Sequence, residues 1–181
     1  MHIRLLLLAL VFGASVLHAQ EEIGSTDSPS SSWSLISLQR TWLPQANDFP
    51  NWGVAAQGFT SIDAQRRWFM GLGIIASGVE RRDCISLVAG PAWFFAGDRT
   101  LGGFVFVQGG IVISARTGAT GFNPFSDQTT VFGLGAASGI GGVVEITRWI
   151  RAQVALVGNA YNVDGGRTPY GIQIGISSGG R

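Results

Sequence analysis

Side chains that could perform acid–base, nucleophilic or metal chemistry are few in this sequence. Both histidines, His2 and His18, lie within the first 19 residues, and the 181-residue chain contains no lysine. Cys84 is the single cysteine, so it cannot form an intrachain disulfide. No Asp or Glu run has the spacing of a calcium loop. The sequence therefore predicts no metal site, no cofactor and no catalytic residue.

Two further patterns deserve a functional interpretation. Glu145 and Arg151 flank a predicted turn, and we interpret them as an ion pair or a solvated rim. Residues 133–142, GLGAASGIGG, are similar to a nucleotide-binding glycine loop but lack its strand–helix context and its later acidic residue. The same residues could form a glycine-zipper membrane helix, but the uncharged segment is short for one. We therefore interpret this stretch as a glycine-rich strand that lines an interior.

The first 19 residues, MHIRLLLLALVFGASVLHA, have the features of a secretory signal peptide. Arg4 precedes the apolar residues 5–17, and Ala19 is the predicted cleavage point. Residues 20–32 are polar and serine-rich and are predicted to form a flexible leader. Cleavage would remove both histidines and leave 11 arginines against 11 acidic residues. This balance, without a basic cluster, argues against nucleic acid as a partner.

The remaining residues, 33–181, form one predicted domain of uncharged spans separated by small charge clusters. Hydrophobic residues make up 46% of the chain and charged residues only 13%, and this balance excludes a disordered chain. Glycine occurs 27 times. Each span is shorter than the ~20 apolar residues of a membrane helix but long enough for the ~9–11 residues of a membrane strand. The eight spans are 28–39, 49–62, 68–79, 84–97, 100–115, 128–144, 152–163 and 168–180.

Several spans alternate between two kinds of side chain, as strands do. In the last span, Ile172, Ile174 and Ile176 share one face, whereas Gln173 and Gly175 share the other. A soluble sheet would carry Lys, Glu, Thr and Asp on its second face, but this face is small or uncharged, which suits a narrow barrel lumen with lipid outside. Predicted strands lie near 33–43, 51–60, 67–78, 85–96, 101–113, 129–143, 148–160 and 168–178.

The predicted strands place polar side chains inside the barrel and aromatic side chains near the strand ends. We expect the inward polar residues to form a hydrogen-bonded plug, with a narrow polar conduit as the alternative. These lumen candidates are Gln57, Gln108, Arg151, Gln153, Asn159 and Gln173. Aromatic rings favour the membrane–water interface. The interface candidates are Trp33, Trp42, Trp52, Trp68, Trp93, Trp149, Tyr161 and Tyr170.

The connections between predicted strands suggest a topology. If the chain starts in the periplasm, the short turns at 60–66, 97–100 and 144–147 are periplasmic. The longer connections at 44–50, 79–84, 114–128 and 161–167 are then extracellular, and the longest loop covers 115–128. Short turns on one side and long loops on the other are typical of outer-membrane barrels.

The pattern resembles a known family, the small OmpA/OmpX-like outer-membrane β-barrels. The matching segments are LVAGPAWF (87–94), FVFVQGG (104–110), GLG (133–135), GIGGVVE (139–145), WIRAQV (149–154) and YGIQIGI (170–176). The resemblance covers about residues 33–178 and implies an all-β, eight-stranded antiparallel up-and-down transmembrane β-barrel. Two features depart from it: the chain ends in SSGGR without an aromatic residue, and Pro91 falls inside a strand, where we expect a bulge.

The resemblance also implies a location and a set of partners. We expect a monomer in the cell outer membrane after signal-dependent export, in contact with outer-membrane lipids and, during biogenesis, with the barrel-assembly machinery. Enzymes that resemble this family use a histidine base, which the exported chain lacks. We therefore expect a non-enzymatic protein with a structural or surface-interaction role through its extracellular loops. The alternatives are a narrow small-molecule conduit and a soluble exported β-barrel that binds an apolar ligand.

Overall fold

The protein folds into eight strands that close into one antiparallel barrel. The computed structural model describes residues 32–42, 51–63, 65, 67–79, 82–97, 101–116, 130–147, 150–163, 166 and 168–179. The strands are β1 (Ser32–Trp42), β2 (Asn51–Ser61), β3 (Trp68–Val79), β4 (Arg82–Gly97), β5 (Leu101–Arg116), β6 (Val131–Thr147), β7 (Ile150–Tyr161) and β8 (Tyr170–Gly179). Each strand pairs with the next, and β1 also pairs with β8. The predicted fold class is confirmed.

Other parts of the predicted organisation lie outside the described residues. The predicted signal peptide, 1–19, and all but the last residue of the predicted leader, 20–32, belong to this undescribed part. Among the described residues, no helix is long and apolar enough to cross a membrane.

Some strands extend further than the hydropathy pattern predicted. β4 starts at Arg82 rather than near 85, β5 continues to Arg116, and β6 continues to Thr147. Because β3 ends at Val79, only residues 80–81 separate it from β4, so the predicted long connection at 79–84 is wrong. The charges in this segment suggested a loop, but a paired strand can continue past the apolar part of a barrel, where charged side chains are tolerated.

The strands are staggered around the barrel. Following paired residues from Leu35 through β2 to β6 leads to Tyr161 on β7. In the other direction, Leu35 pairs with Ser177, which pairs with Arg151. The two paths therefore reach β7 at positions ten residues apart. Such a stagger requires tilted strands, and eight of them enclose an interior that side chains can fill.

Pro91 is accommodated without a bulge. The register of β4 with β5 is the same on both sides of it, since Ala89 pairs with Gly109 and Ala92 pairs with Phe106. The register shift between these strands lies instead between Phe95 and Gly97. The expected bulge at Pro91 is therefore wrong. Proline lacks only its own backbone N–H donor. The strand therefore loses its pairing with β5 for two residues, Gly90 and Pro91, and needs no extra residue to accommodate the proline.

The two faces of the barrel wall differ in character, and the faces predicted for β8 are confirmed. Ile172, Ile174 and Ile176 are exposed, whereas Gln173 and Gly175 are buried. The same alternation continues around the barrel and leaves large apolar side chains exposed on its outward face. We call this outward surface the apolar belt; it includes Ile36, Leu38, Met70, Leu72, Leu87, Val107, Ile111, Phe132, Leu134, Ile140, Val154, Leu156, Ile172, Ile174 and Ile176.

Candidate functional site: the barrel interior and its two rims

Aromatic rings fill the lumen at one end of the barrel. We call this the near end; it carries the start of β1 and the connections 62–67, 98–100 and 148–149. The opposite end is the far end. The Trp33 and Phe59 rings stack with centroids 4.3 Å apart, and Phe94 lies 5.1 Å from Trp33 and 5.0 Å from Phe69. The aromatic plug consists of Trp33, Phe59, Phe69, Phe94, Phe104 and Phe106.

Glycines on the inward face make room for these large side chains. A Cβ atom at Gly71 would lie 2.7 Å from Cε1 of Phe59 and 2.6 Å from Nε2 of Gln108. A Cβ atom at Gly139 would meet the Phe106 ring at a similarly short distance. These separations are shorter than ordinary van der Waals contact. The high glycine content of the lumen face is therefore a steric requirement of a narrow, packed barrel.

Polar side chains occupy the lumen beyond the aromatic plug. Nε2 of Gln57 donates a hydrogen bond to Oε1 of Gln108 at 2.7 Å, and Nε2 of Gln173 donates to Oγ of Ser37. Ser37 and Gln39 are inward polar residues that the sequence analysis did not single out, although the alternating S-L-Q-R-T run at 37–41 carries the signal. Of the predicted lumen residues, the structure buries Gln57, Gln108, Gln153, Asn159 and Gln173.

Several polar atoms of these buried amides lack a partner. Among the described residues, Nε2 and Oε1 of Gln153, Oε1 of Gln39, Oε1 of Gln173 and Nδ2 of Asn159 form no hydrogen bond with protein. A dry polar group of this kind would cost about 1–3 kcal/mol. Internal water normally satisfies such groups. The lumen is thus closed by rings at the near end and polar enough to hold water beyond them.

Arg151, the remaining lumen candidate, is the second residue of β7 and lies at the near end. It pairs in register with Glu145, and its Nε lies 4.0 Å from Oε2 of that residue. Both side chains are partly exposed. The distance and the solvent access describe a weak ion pair at the rim. Among the described residues, no group of three His, Cys, Asp or Glu side chains could hold a metal ion.

Two predicted interface aromatics lie inside the barrel instead. Trp33 belongs to the aromatic plug, and Tyr161 is buried at the far end against Cys84, Val112 and Val163. The Tyr161 hydroxyl lies 3.2 Å from Oγ of Ser77. Their assignment to the interface is therefore wrong. Nearness to a strand end does not determine which way a side chain points, but side chains two positions apart on a strand share a face. Tyr161 follows the inward residue Asn159 by two positions and therefore also points inward.

The other described interface candidates point outward and lie at both ends of the wall. At the near end, Trp68 and Trp93 pair in register with their ring centroids 6.0 Å apart. At the far end, Trp42 lies 6.5 Å from Tyr170, and Trp52 is on the adjacent strand. The structure thus separates two outward aromatic groups by the apolar belt. Trp149 lies outside the described residues.

Comparison with known proteins identifies the architecture. No family model and no curated protein matches the sequence. Neisserial surface protein A matches with a TM-score of 0.59 and 11% identity, over 83% of this chain and 97% of that one. A de novo designed transmembrane β-barrel matches with a TM-score of 0.52 and 10% identity, over 85% and 98% of the two chains.

A third similar structure is Ail, the attachment invasion locus protein of Yersinia pestis. It matches with a TM-score of 0.51 and 13% identity, over 83% of this chain and 98% of that one. Identities this low establish shared architecture only. The resemblance to small eight-stranded outer-membrane β-barrels is therefore confirmed at the level of the fold.

Proposed function

We propose that this protein is an integral outer-membrane β-barrel with a structural or surface-interaction role and no enzymatic activity. The observation that carries the proposal is the apolar belt around a packed lumen. Phe132, Leu134 and Leu156 expose 71%, 67% and 64% of their surface on the outside of the wall. A belt of this size in water would drive aggregation, whereas hydrocarbon is its natural solvent.

The same observation weighs against a soluble barrel that binds an apolar ligand. Such a protein would place its apolar side chains inside and its charged side chains outside. This barrel buries the polar side chains of Gln57, Gln108 and Gln173 in its lumen, and the aromatic plug fills one end. An apolar ligand would therefore find little apolar space between the plug and the polar layer.

The surface role rests on the connections at the far end. These comprise residues 43–50, 80–81, 117–130 and 162–169, whereas the near-end connections comprise 62–67, 98–100 and 148–149. Long loops face the exterior in bacterial barrels of this kind. Ail, which has a similar fold, carries attachment and invasion in its name. We infer that the far end faces outward and that the barrel holds these loops for contact with a partner.

The narrow conduit stays a second candidate because some amide oxygen and nitrogen atoms in the lumen have no protein partner. Gln153, Gln39 and Gln173 would solvate a water file through the middle of the lumen. The aromatic plug opposes steady flow, since its rings occupy the near end. We therefore place the conduit second to the surface role.

Membrane fractionation combined with surface proteolysis tests the proposal. We expect the exported protein in the outer-membrane fraction as a monomer in contact with the lipids, with gel migration that changes on heating. Its assembly there would depend on the barrel-assembly machinery. Recovery of a folded protein in the soluble periplasmic fraction would instead favour the soluble-barrel alternative.

A further inference from the structure

A charged residue lies on the outward wall at the far end, among aromatic rings. Arg40 precedes the end of β1 by two residues and pairs in register with Trp52 on β2 and Ile172 on β8. Trp42 follows on the same face of β1 and pairs with Tyr170. These residues form one continuous outward patch across β8, β1 and β2. We call Arg40, Trp42, Trp52 and Tyr170 the far-rim patch.

The indole rings hold the Arg40 guanidinium without using its donors. Its Cζ atom lies 5.7 Å from the Trp42 ring centroid and 5.3 Å from the Trp52 ring centroid. Both distances fall within the range of cation–π attraction. A cation–π contact needs no N–H donor, so the guanidinium N–H groups stay available for hydrogen bonds. Within the described part of the chain, no carboxylate pairs with Arg40.

The position of the far-rim patch defines its surroundings. Leu38 is the next outward residue below Arg40 on β1, and Ile172 lies beside it on β8; both are exposed and belong to the apolar belt. Arg40 is therefore at the upper edge of this belt. An arginine in such a place extends its charged group toward the lipid headgroups and leaves its stem against hydrocarbon.

We propose that the far-rim patch is a binding site for the anionic phosphate headgroup of a membrane lipid. The guanidinium would donate paired hydrogen bonds to the phosphate oxygens, the rings would lie at headgroup level, and the acyl chains would cover Leu38 and Ile172. This inference rests on the proposed membrane insertion. It adds a specific lipid contact at one place on the circumference, where the wall carries both the charge and the rings.

The test compares two variants that each remove one arginine. Arg40→Gln removes the charge of the far-rim patch. Arg67→Gln is the matched control, because it removes an equal charge from an exposed turn at the near end. The backbone N–H of residue 67 can still donate its hydrogen bond to Asp63 in this variant. Folding into phosphatidylcholine vesicles, measured by heat-modifiable migration, comes first. Failure of the parent and of both variants to fold in these vesicles would refute membrane insertion itself, independently of the headgroup site.

Lipid binding is then measured by native mass spectrometry of the folded proteins titrated with phosphatidylglycerol and, in parallel, with phosphatidylcholine. We expect Arg40→Gln to weaken phosphatidylglycerol binding about fivefold, the effect of one arginine near an anionic lipid surface. Phosphatidylcholine, whose choline cation offsets the phosphate charge, should lose less than phosphatidylglycerol, and the Arg67→Gln control should bind both lipids at the parental level. Equal phosphatidylglycerol binding by the parent and Arg40→Gln would overturn the proposal.

A competition experiment separates the lipid from a free anion. Inorganic phosphate lacks acyl chains and cannot use Leu38 or Ile172, so an equal concentration should leave phosphatidylglycerol bound. Displacement of the lipid by equimolar phosphate would show that the patch binds a small anion, and the lipid assignment would be wrong.

Discussion

At the scale of single residues, neighbours on β8 test the assignment of inside and outside. Ile174 is 61% exposed within the apolar belt, whereas Gln173 is buried in the lumen and bonds Ser37. We expect Ile174→Arg to lose about 2–4 kcal/mol of stability, because it places a charge in hydrocarbon. Gln173→Ser should lose about 1 kcal/mol, the value of one hydrogen bond. The readout is the folded fraction in lipid vesicles, measured by heat-modifiable migration.

The opposite ranking would show that the strand is shifted by one residue, since such a slip exchanges the two faces. Normal folding of Ile174→Arg in water without lipid would favour the soluble barrel over the membrane barrel.

Two glycines on neighbouring parts of the wall provide a second residue-scale test. A Cβ atom at Gly71 would crowd Phe59 and Gln108, whereas a Cβ atom at Gly109, on the outward face, would meet nothing within 4 Å. We expect Gly71→Val to lower the free energy of unfolding by about 1–3 kcal/mol through overpacking. Gly109→Val should be neutral or slightly stabilising, because valine suits strands. Urea midpoints in detergent micelles measure both, and equal midpoints would contradict the packed lumen.

At the scale of the elements, the far-end connections differ greatly in length, and proteolysis should reveal the difference. β5 ends at Arg116 and β6 begins at Val131, whereas only residues 80–81 join β3 to β4. The predicted loop 115–128 therefore starts too early, since Ala115 is a buried strand residue. Proteinase K, which cleaves after most residue types, should cut within 117–130 when added to intact cells, while the connection at 80–81 resists cleavage.

Mass spectrometry of the fragments locates the cuts, and cells with a permeabilised outer membrane are the control. Cleavage in 117–129 only after permeabilisation would place this loop in the periplasm and invert the topology. Cleavage between β3 and β4 in intact cells would contradict the short hairpin.

At the scale of the whole molecule, the aromatic plug predicts the electrical behaviour of the barrel. Trp33, Phe94 and Phe69 pack together across the near end, so the parent protein should show little or no steady conductance in planar bilayers. Removing two rings through Trp33→Ala together with Phe94→Ala should produce measurable conductance. Trp68→Ala, at the same end but outside the wall, is the matched control.

A stable open channel in most insertions of the parent would promote the conduit to first place among the functions. A closed double variant that still folds would show that the polar layer, rather than the rings, blocks the lumen.

Much of the architecture is encoded in the local order of residues. The number of strands and the two faces of β8 are predictable because alternation and the spacing of charges are properties of neighbouring residues. The inward positions of Gln153 and Asn159 are predictable from the same parity. The lengths of β4, β5 and β6 are less predictable, because charged residues end the apolar pattern before the ladder ends.

The arrangement of the interior was decided only by the tertiary structure. Gln57 meets Gln108 across 51 residues of sequence, and Gln173 meets Ser37 across 136. These contacts depend on the stagger of eight paired strands, which no single strand specifies. The same closure packs Trp33 into the aromatic plug. It also places Arg40 beside two indole rings, Trp42 on β1 and Trp52 on β2. Local alternation selects a face, but only the closed ladder determines which side chains meet there.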